Sequence, residues 1–493
     1  MGAPRGSTRI TIVGGGFSGA AFAVQLARAS AHPLAFTVLE PRPRVGPGLA
    51  YSAEDPDHRL NGSVETHLLD PEEPDGLQRW CERHRILDRD PEALAPNGRT
   101  YLRRSDFGAY LAETAPAAVV AAGSSWHHAR DLATGLRDDE AGLEVLTRTG
   151  SAVSSDMVVI ATGNGGARLP SALQALALHP AVIVDPLNVS TAGTIEPGAR
   201  VLVVGSGLTA LDVLSTLLRR GHRGSITAIS RHGLRPRPQR PAGSSADSGM
   251  GQLLARIEGE VPAFIREAGT PLTTRSLTRA LRRRIDEDRR AGEDWYRAFD
   301  DLRDVVWQVW PLLAPQEKAR FLSWLRPWYD MHRFRSPPQN DAMVAEAEQR
   351  GLVRFEAGQL QSAHAAHDGM RIGVRGRPRQ GHSGAGSGES WVQTFDVVVN
   401  CTGLDPTCGA RANPFLAALL EQGVIHIDDC GLGFAVDAQC RPIGAGGSAD
   451  PRIRIVGPPT AGTFGDPLGT LFIAPQVRRI LPGVLAWLDR GAP

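Results

Sequence analysis

The sequence predicts an α/β protein made of two three-layer lobes and a helical insertion. Three observations carry that prediction. An apolar strand running into a glycine turn and then an apolar helix occurs twice, at Ile10–Arg28 and at Arg200–Leu218. Each copy closes, much later in the chain, on an apolar strand ending in x-Thr-Gly, at Met157–Gly163 and at Val397–Gly403. Between the second turn and its closing strand, residues 252–350 carry amphipathic helical spacing and strong helix formers.

The first lobe opens on Ile10–Gly19, ITIVGGGFSG, with glycines in the order G-x-G-x-x-G at Gly14, Gly16 and Gly19. Gly14 allows a tight turn, Gly16 lets backbone N–H groups approach a pyrophosphate, and Gly19 lets helix and strand pack closely. The helix that starts at Phe17 and Ser18 offers its N-terminus to the phosphate charge. The next strand, Phe36–Leu39, ends in Glu40, 21 residues past Gly19. That is close to the ~20 expected of a carboxylate that holds a ribose diol. A glycine-rich turn without a ligand would not explain an acid at that place, so the expectation is a Rossmann-like dinucleotide site. Residues 41–63 read as loop. Helical patterns follow at Leu77–Arg85 and Asp106–Thr114, then strands at Leu143–Thr147 and Met157–Ile160. The second of these runs into Ala161-Thr162-Gly163-Asn164. Small residues after an apolar strand are typical of strand ends that abut a flavin, which makes Thr162, Gly163 and Asn164 candidate contacts.

The second lobe repeats the scheme as G-x-G-x-x-A at Gly205, Gly207 and Ala210, with Leu208 and Thr209 opening its helix. Its next strand, Ile226–Ile229, ends in Ser230-Arg231-His232 rather than an acid. A carboxylate there would repel a 2′-phosphate, whereas Ser230 and Arg231 can hydrogen-bond one, so this site is expected to prefer NADP(H). The alternative for Arg231 is a plain solvated side chain. Short strands at Val353–Phe355, Met370–Val374 and Val397–Asn400 lead to Gly403, and Gly376–Ser390 reads as a hairpin tip. In the insertion, Trp295, Phe299, Leu302, Val306 and Val309 recur as one helix face would. The stretch Trp328–Arg335, WYDMHRFR, reads either as a polar helix end at a domain seam or as a cap on nicotinamide or an acidic substrate. The C-terminal strand Ile453–Val456 leads through GPPTAGTFGDPLGT into an apolar helix. Asp466 in that loop is a candidate ribityl or pyrophosphate contact, or a helix N-cap. The implied division is 1–190 and 404–493 for the first lobe and 191–403 for the second, with the helical insertion at about 245–350.

Composition narrows the function classes. The chain has 493 residues and a formal net charge of +1, which gives no general drive toward nucleic acid or anionic membrane. No uninterrupted apolar run reaches the ~18 residues of a membrane span, and the N-terminal apolar run is the strand just described rather than a signal. The five cysteines include no C-x-x-C, so neither a redox dithiol nor a metal knuckle is expected, and a reducing, cytoplasmic setting suits them. Lys318 is the only lysine, and no Schiff-base or P-loop motif surrounds it.

The chain resembles the bacterial FAD/NAD(P)-binding proteins related to flavin-containing monooxygenases and amino-acid N-hydroxylases. The resemblance rests on the first glycine motif, on GPGLAYS and HRLN (Gly46–Ser52 and His58–Asn61), and on ATGN. It continues through VLVVGSGLTALDV, ISRHGLRPRPQ, ARFLSWLRPWYDMHRFR, NCTG and IVGPPTAGTFGD. It implies FAD in the first lobe, NAD(P)H in the second and a family-type helical insertion; Asn61 and Asn164 are polar candidates near the flavin ring, the alternative for each being a backbone-turn role. Relatives commonly carry Val-Pro-Ala where Gly62, Ser63 and Val64 follow Asn61, and Arg, then Trp-Glu, where Ala461, Gly465 and Asp466 stand. The fingerprint F-x-G-x-x-x-H is absent, since His179 lacks its Phe and Gly. The implied function is an NADPH-dependent monooxygenase that oxygenates an amine nitrogen or a sulfur of a small molecule with O2, through a C4a-hydroperoxyflavin. The alternatives are a flavin reductase passing electrons to another acceptor, or a flavin-binding module with a vestigial nicotinamide site. No catalytic acid–base pair and no metal are required, and helical insertions in such proteins often build homo-oligomer interfaces.

Overall fold

The computed structural model describes residues 7–53, 55–139, 142–187, 195–241, 250–377, 389–465 and 468–490. In chain order the strands are β1 (Thr8–Val13), β2 (Leu34–Leu39), β3 (Ser125–Ala129), β4 (Ala133–Asp139), β5 (Gly142–Thr147), β6 (Ala152–Ser155) and β7 (Met157–Ile160). They continue as β8 (Val182–Ile183), β9 (Val201–Val204), β10 (Ile226–Ser230), β11 (Val353–Ala366), β12 (Gly369–Gly376), β13 (Trp391–Phe395), β14 (Val397–Asn400) and β15 (Ile453–Ile455).

The first lobe is built on a parallel sheet ordered β15-β7-β1-β2-β3. Its central strands are apolar on both faces because both faces are covered, as parallel sheets require. Ile10, Ile12, Met157 and Val159 point toward one side and pack with the helices Phe17–Ala29, Arg104–Ala121 and Thr470–Asp489. Val13, Val158 and Ile160 point toward the other side, against Leu136, Leu143 and Val145 of the antiparallel β4-β5-β6 sheet and against Phe415 and Leu419 of the Pro414–Glu421 helix. Thr470–Asp489 is the one helix among the described residues long and apolar enough by composition to cross a membrane, and 61% of that window is buried inside the fold.

The second lobe is a sheet ordered β13-β12-β11-β10-β9-β14-β8. Val201 and Val203 face the Leu208–Arg219 helix and the Pro338–Gln349 helix, which contributes Val344 and Ala347. Leu202 and Val204 face Ile372, Val374 and Phe395 of the antiparallel ribbon. The order β7-β1-β2 in one lobe matches β14-β9-β10 in the other, so the internal repeat read in the sequence is a repeat of topology.

Several sequence expectations need correction. Val353–Phe355 is only the start of β11, which runs parallel to β10, shifts register between Leu360 and Ser362, and continues antiparallel to β12 as far as Ala366. Its second half has little apolar patterning because it is mostly exposed, with only Ala363 buried. β8 lies before residue 190 yet pairs with β14 in the second sheet, and two residues are too short to show a period. The Pro338–Gln349 helix, placed in the insertion by its sequence, belongs to the core of the second lobe. It is the crossover that two parallel strands, β10 and β11, need. The Trp295–Val309 stripe is not one face of one helix: the Tyr296–Asp304 helix ends at Val305, and the buried apolar side chains are Tyr296, Ala298, Leu302, Val305, Val309 and Trp310. Residues 378–388, inside the expected hairpin tip, lie outside the described residues, while the flanking β12 and β13 do pair antiparallel.

Beside the first sheet, Arg59 is 1% exposed. Its guanidinium donates to both oxygens of Asp90 at 2.8 and 3.0 Å and to the Tyr101 carbonyl at 2.9 Å. Arg59→Ala should therefore destabilise the fold by about 3–5 kcal/mol, because Asp90 keeps a buried charge with a weaker partner. The midpoint of denaturant unfolding reads this, and the Arg59→Met/Asp90→Leu double variant should lose less than Arg59→Ala alone.

His67 is also buried, with its ring edge-on to Phe107 at 5.2 Å and its Nδ1–H donating to the Ser63 carbonyl at 3.0 Å. Burial pushes its imidazole down from 6.5 to about 4, against the smaller pull of Ser63. The folded protein binds a proton less readily than the unfolded chain. Stability is therefore full above pH 6.5 and declines as pH falls toward 4, by at most ~1.4 kcal/mol per pH unit from this group. His67→Gln should flatten that part of a urea-denaturation series taken against pH.

Candidate functional site

The two glycine turns share one construction. Gly14 N–H donates to the Leu39 carbonyl at 3.0 Å, and Ala161 N–H donates to the Val13 carbonyl at 2.9 Å. In the second lobe, Gly205 N–H donates to the Ile229 carbonyl at 2.8 Å, and Cys401 N–H donates to the Val204 carbonyl at 2.7 Å. Gly14 sits at φ +105° and Gly205 at φ +117°, in the left-handed half of backbone space. A Cβ on Gly14 would lie 2.5 Å from the Ala161 carbonyl oxygen, and one on Gly205 would lie 2.1 Å from that of Cys401. In both lobes, then, the turn is pressed against the x-Thr-Gly end of the neighbouring strand, and only glycine fits.

Each turn feeds a helix that begins on a bare glycine. Gly16 precedes Phe17–Ala29 and Gly207 precedes Leu208–Arg219, with no capping side chain and no acid in either first turn. Elsewhere in the chain, Thr273 and Asn413 do cap their helices. The uncapped N–H groups and the positive end of the helix dipole suit a phosphate. A Cβ on Gly207 would meet nothing within 4 Å, so that helix start is open to a ligand. In the first lobe, Phe17 and Ser18 are buried, Phe17 packing on Phe107 and Ser18 against Gly457. They can serve a ligand through their backbones. Gly19 is the close-packing position: a Cβ there would fall 2.6 Å from the Gly14 carbonyl oxygen.

The ends of the second strands differ as the sequence suggests. Glu40 is 3% exposed. Its carboxylate accepts Gly15 N–H and Arg42 N–H, each at 2.9 Å, and so spans the first turn. Ser230 Oγ accepts Gly233 N–H at 3.1 Å, and Arg231 is exposed beside it. Leu208 and Thr209 are half-buried at the helix start. Gly403, at φ +97°, is exposed, and its carbonyl accepts Arg168 N–H. Asn164 is exposed, while Gly163 takes φ +69°. Two predicted contacts carry polar atoms that fit a bound cofactor: Asn61 Oδ1 and Thr162 Oγ1 are buried without a hydrogen-bond partner in the protein. Asp466 lies outside the described residues. Among the described residues, no group of three His, Cys, Asp or Glu could hold a metal ion.

The Trp328–Arg335 stretch is taken up by packing. Arg335 pairs with Asp300 at 2.7 Å and lies over the rings of Trp295 and Tyr296. Asp300 is held down at about 2: burial would raise it, and Arg303 and Arg335 overcome that. His332 donates Nδ1–H to the Trp328 carbonyl and stacks on Phe299 at 4.4 Å. Arg333 reaches the C-terminal segment, donating to the Leu468 carbonyl and lying over Phe472.

The sequence reading missed the charged seam between the lobes. Asp212, in the second glycine-motif helix, pairs with Arg104 of the first lobe at 2.7 Å. Burial raises Asp212 despite Arg104. Arg220 pairs with Asp55, Arg219 pairs with Asp57, and Asn340 Nδ2 donates to the Asp57 carbonyl. The available signal was Asp212 itself, one acid in the apolar run LTALDVLSTLL.

Comparison with known proteins agrees with this construction. Residues 11–165 match the model of a family described as FAD-NAD(P)-binding. The sequence matches none of the curated proteins. In fold, the chain is similar to the ornithine N-hydroxylase of Kutzneria sp. 744, with a TM-score of 0.61 at 16% identity over 98% of this chain and 99% of that one. It is also similar to the L-lysine 6-monooxygenase of Pseudomonas syringae, with a TM-score of 0.60 at 18% identity over 98% and 99% of the two chains. The cadaverine monooxygenase of Erwinia amylovora gives a TM-score of 0.62 at 12% identity over 98% and 95%. At these identities the likeness is one of fold, an α/β architecture with parallel sheets.

Proposed function

We propose that this protein is an FAD- and NADPH-dependent monooxygenase that oxygenates an amine nitrogen, or a sulfur, of a small molecule. The observation that carries the reading is the pair of alike turns with unlike strand ends, Glu40 in one lobe and Ser230-Arg231 in the other. Support for the amine comes from the similar structures, which are named as ornithine, lysine and cadaverine monooxygenases. The Kutzneria structure is described as holding reduced FAD, NADP+ and L-ornithine.

In this reading the first helix N-terminus, at Gly16–Ser18, binds the FAD pyrophosphate, and Glu40 takes the ribose hydroxyls. Gly207–Thr209 binds the NADPH pyrophosphate, and Ser230 with Arg231 holds the 2′-phosphate. Asn61 Oδ1 and Thr162 Oγ1, each buried without a partner, give polar contacts that orient the flavin. The flavin supplies the hydride-accepting and oxygen-activating chemistry when bound. The paired charges Arg104–Asp212 and Arg220–Asp55 hold the lobes together along the seam, so the reacting groups are kept at fixed spacing.

The test is anaerobic mixing of the FAD-loaded protein with NADPH, followed by oxygen and a panel of small amines and thiols. Flavin reduction followed by O2 uptake with stoichiometric oxygenated product supports the reading. Reduction without any oxygenated product, but with fast transfer to a quinone or iron acceptor, replaces it with a reductase. No saturable reduction by NADPH refutes both.

Two substitutions probe the assignments. Arg231→Ala should raise KM for NADPH by about 10–100-fold, the ~1.5–3 kcal/mol of a charge-assisted hydrogen bond, and leave KM for NADH nearly unchanged. Asn61→Ala should lower product yield per NADPH more than it lowers FAD affinity; equal loss of both would remove Asn61 from the site.

A further inference from the structure

The segment that leaves β10 through Ser230-Arg231 does not stop at the second lobe. It runs on as Arg235–Arg240 and is held along its length. Arg237 N–H donates to the Met331 carbonyl at 2.8 Å, Ser336 N–H to the Arg237 carbonyl at 2.9 Å, and Gln239 N–H to the Ser336 carbonyl at 2.9 Å. The Tyr296 hydroxyl donates to the Pro238 carbonyl at 3.0 Å. Arg240 pairs with Asp294 at 3.1 Å and lies over the Tyr296 ring. The helical insertion thus fixes this segment as a strap.

The far end of the strap is tied to the first lobe. Asn97 Nδ2 donates to the Arg240 carbonyl at 3.0 Å, and Gln239 Nε2 donates to the Asn61 carbonyl. On either side of Asn61 the main chain is pinned within its own lobe, by Leu60 N–H to the Leu102 carbonyl at 2.8 Å and by Val64 N–H to the Thr100 carbonyl at 2.9 Å. Asn61 stands between these two anchors, and the bond to its carbonyl comes from the other lobe. Its own side chain carries a buried Oδ1 with no partner in the protein.

We propose that Gln239 is a positioning residue: from the second lobe it fixes the Asn61 main chain and so aims the Asn61 carboxamide into the flavin pocket of the first. That the pocket holds flavin rests on the proposed function; that Gln239 sets the Asn61 segment does not. The chain from Arg231 to Gln239 is nine residues of held backbone, so the strap ties the adenosine end of the NADPH site to a side chain beside the flavin.

Gln239→Glu is the discriminating variant. It keeps shape and size but replaces an N–H donor with a carboxylate facing a carbonyl oxygen, so packing is retained and the bond is lost. Two readouts separate the strap from the chemistry. Hydrogen exchange of residues 58–66 in the protein without cofactor should speed up at least ~10-fold, while residues 10–19 stay unchanged, since removing a held contact lowers the local opening free energy by about 1.4 kcal/mol. In the FAD-loaded protein, the visible flavin band should shift, and the Asn61→Ala/Gln239→Glu double variant should match Asn61→Ala alone. Unchanged exchange in Gln239→Glu, or additive effects in the double variant, would overturn the proposal. Should Gln239→Glu fail to fold, Gln239→Asn withdraws the same amide by one methylene and reads the same way. Failure of the wild-type protein to bind FAD would sink the proposed function and leave the exchange comparison to judge the strap.

Discussion

The structure depends on a contact too close for any side chain. In each lobe the carbonyl of the closing strand reaches the Cα of the turn glycine, Ala161 against Gly14 and Cys401 against Gly205. That approach fixes the relative height of two parallel strands. It also aims the following helix so that its uncapped start faces the crest of the sheet. Strand order, helix direction and cradle are consequences of the same contact, and so it recurs twice in one chain. The hydrogen bonds around it, from Gly14 to Leu39 and from Gly205 to Ile229, repeat as well.

What was legible in the sequence was whatever a local rule dictates. The glycine spacing, the apolar strands buried on both faces, and the acid or arginine ending the second strand are set by neighbours close in sequence. Glu40, Gly205 and Ser230 could therefore be placed before any coordinates. The two-residue β8, the polar edge strand β3 (SWHHA) and the far half of β11 were not legible, because pairing rather than composition makes them strands. The Pro338–Gln349 helix looked like more insertion because a helix carries no mark of which body it packs on; Val344 and Ala347 show it only by what they touch.

The site divides in the same way. The glycine-turn positions follow from motif geometry, whereas the side chains that join the lobes come from scattered places: Asp55, Arg104, Asp212, Gln239 and Asn340. Nothing in their spacing links them. Of the two readings of the WYDMHRFR stretch the structure favours the packed one, since Arg335 and His332 are spent on Asp300, Trp295 and Phe299 in the packing of the insertion. Density of His and Arg is a poor guide to a site where aromatic rings and a carboxylate lie nearby to absorb them.

The place of β15 has an effect on how the chain comes to be folded. This strand completes the first sheet beside β7, and the Thr470–Asp489 helix that follows lays Phe472, Val477 and Ile480 over the Phe17–Ala29 helix. On the ribosome, β1 and its helix emerge some 450 residues before that cover arrives. The second sheet, whose strands span Val182 to Asn400, can close within that interval. The lobe whose opening strand precedes the second lobe is therefore completed after it, and one of its apolar faces stays uncovered until β15 and the Thr470–Asp489 helix arrive.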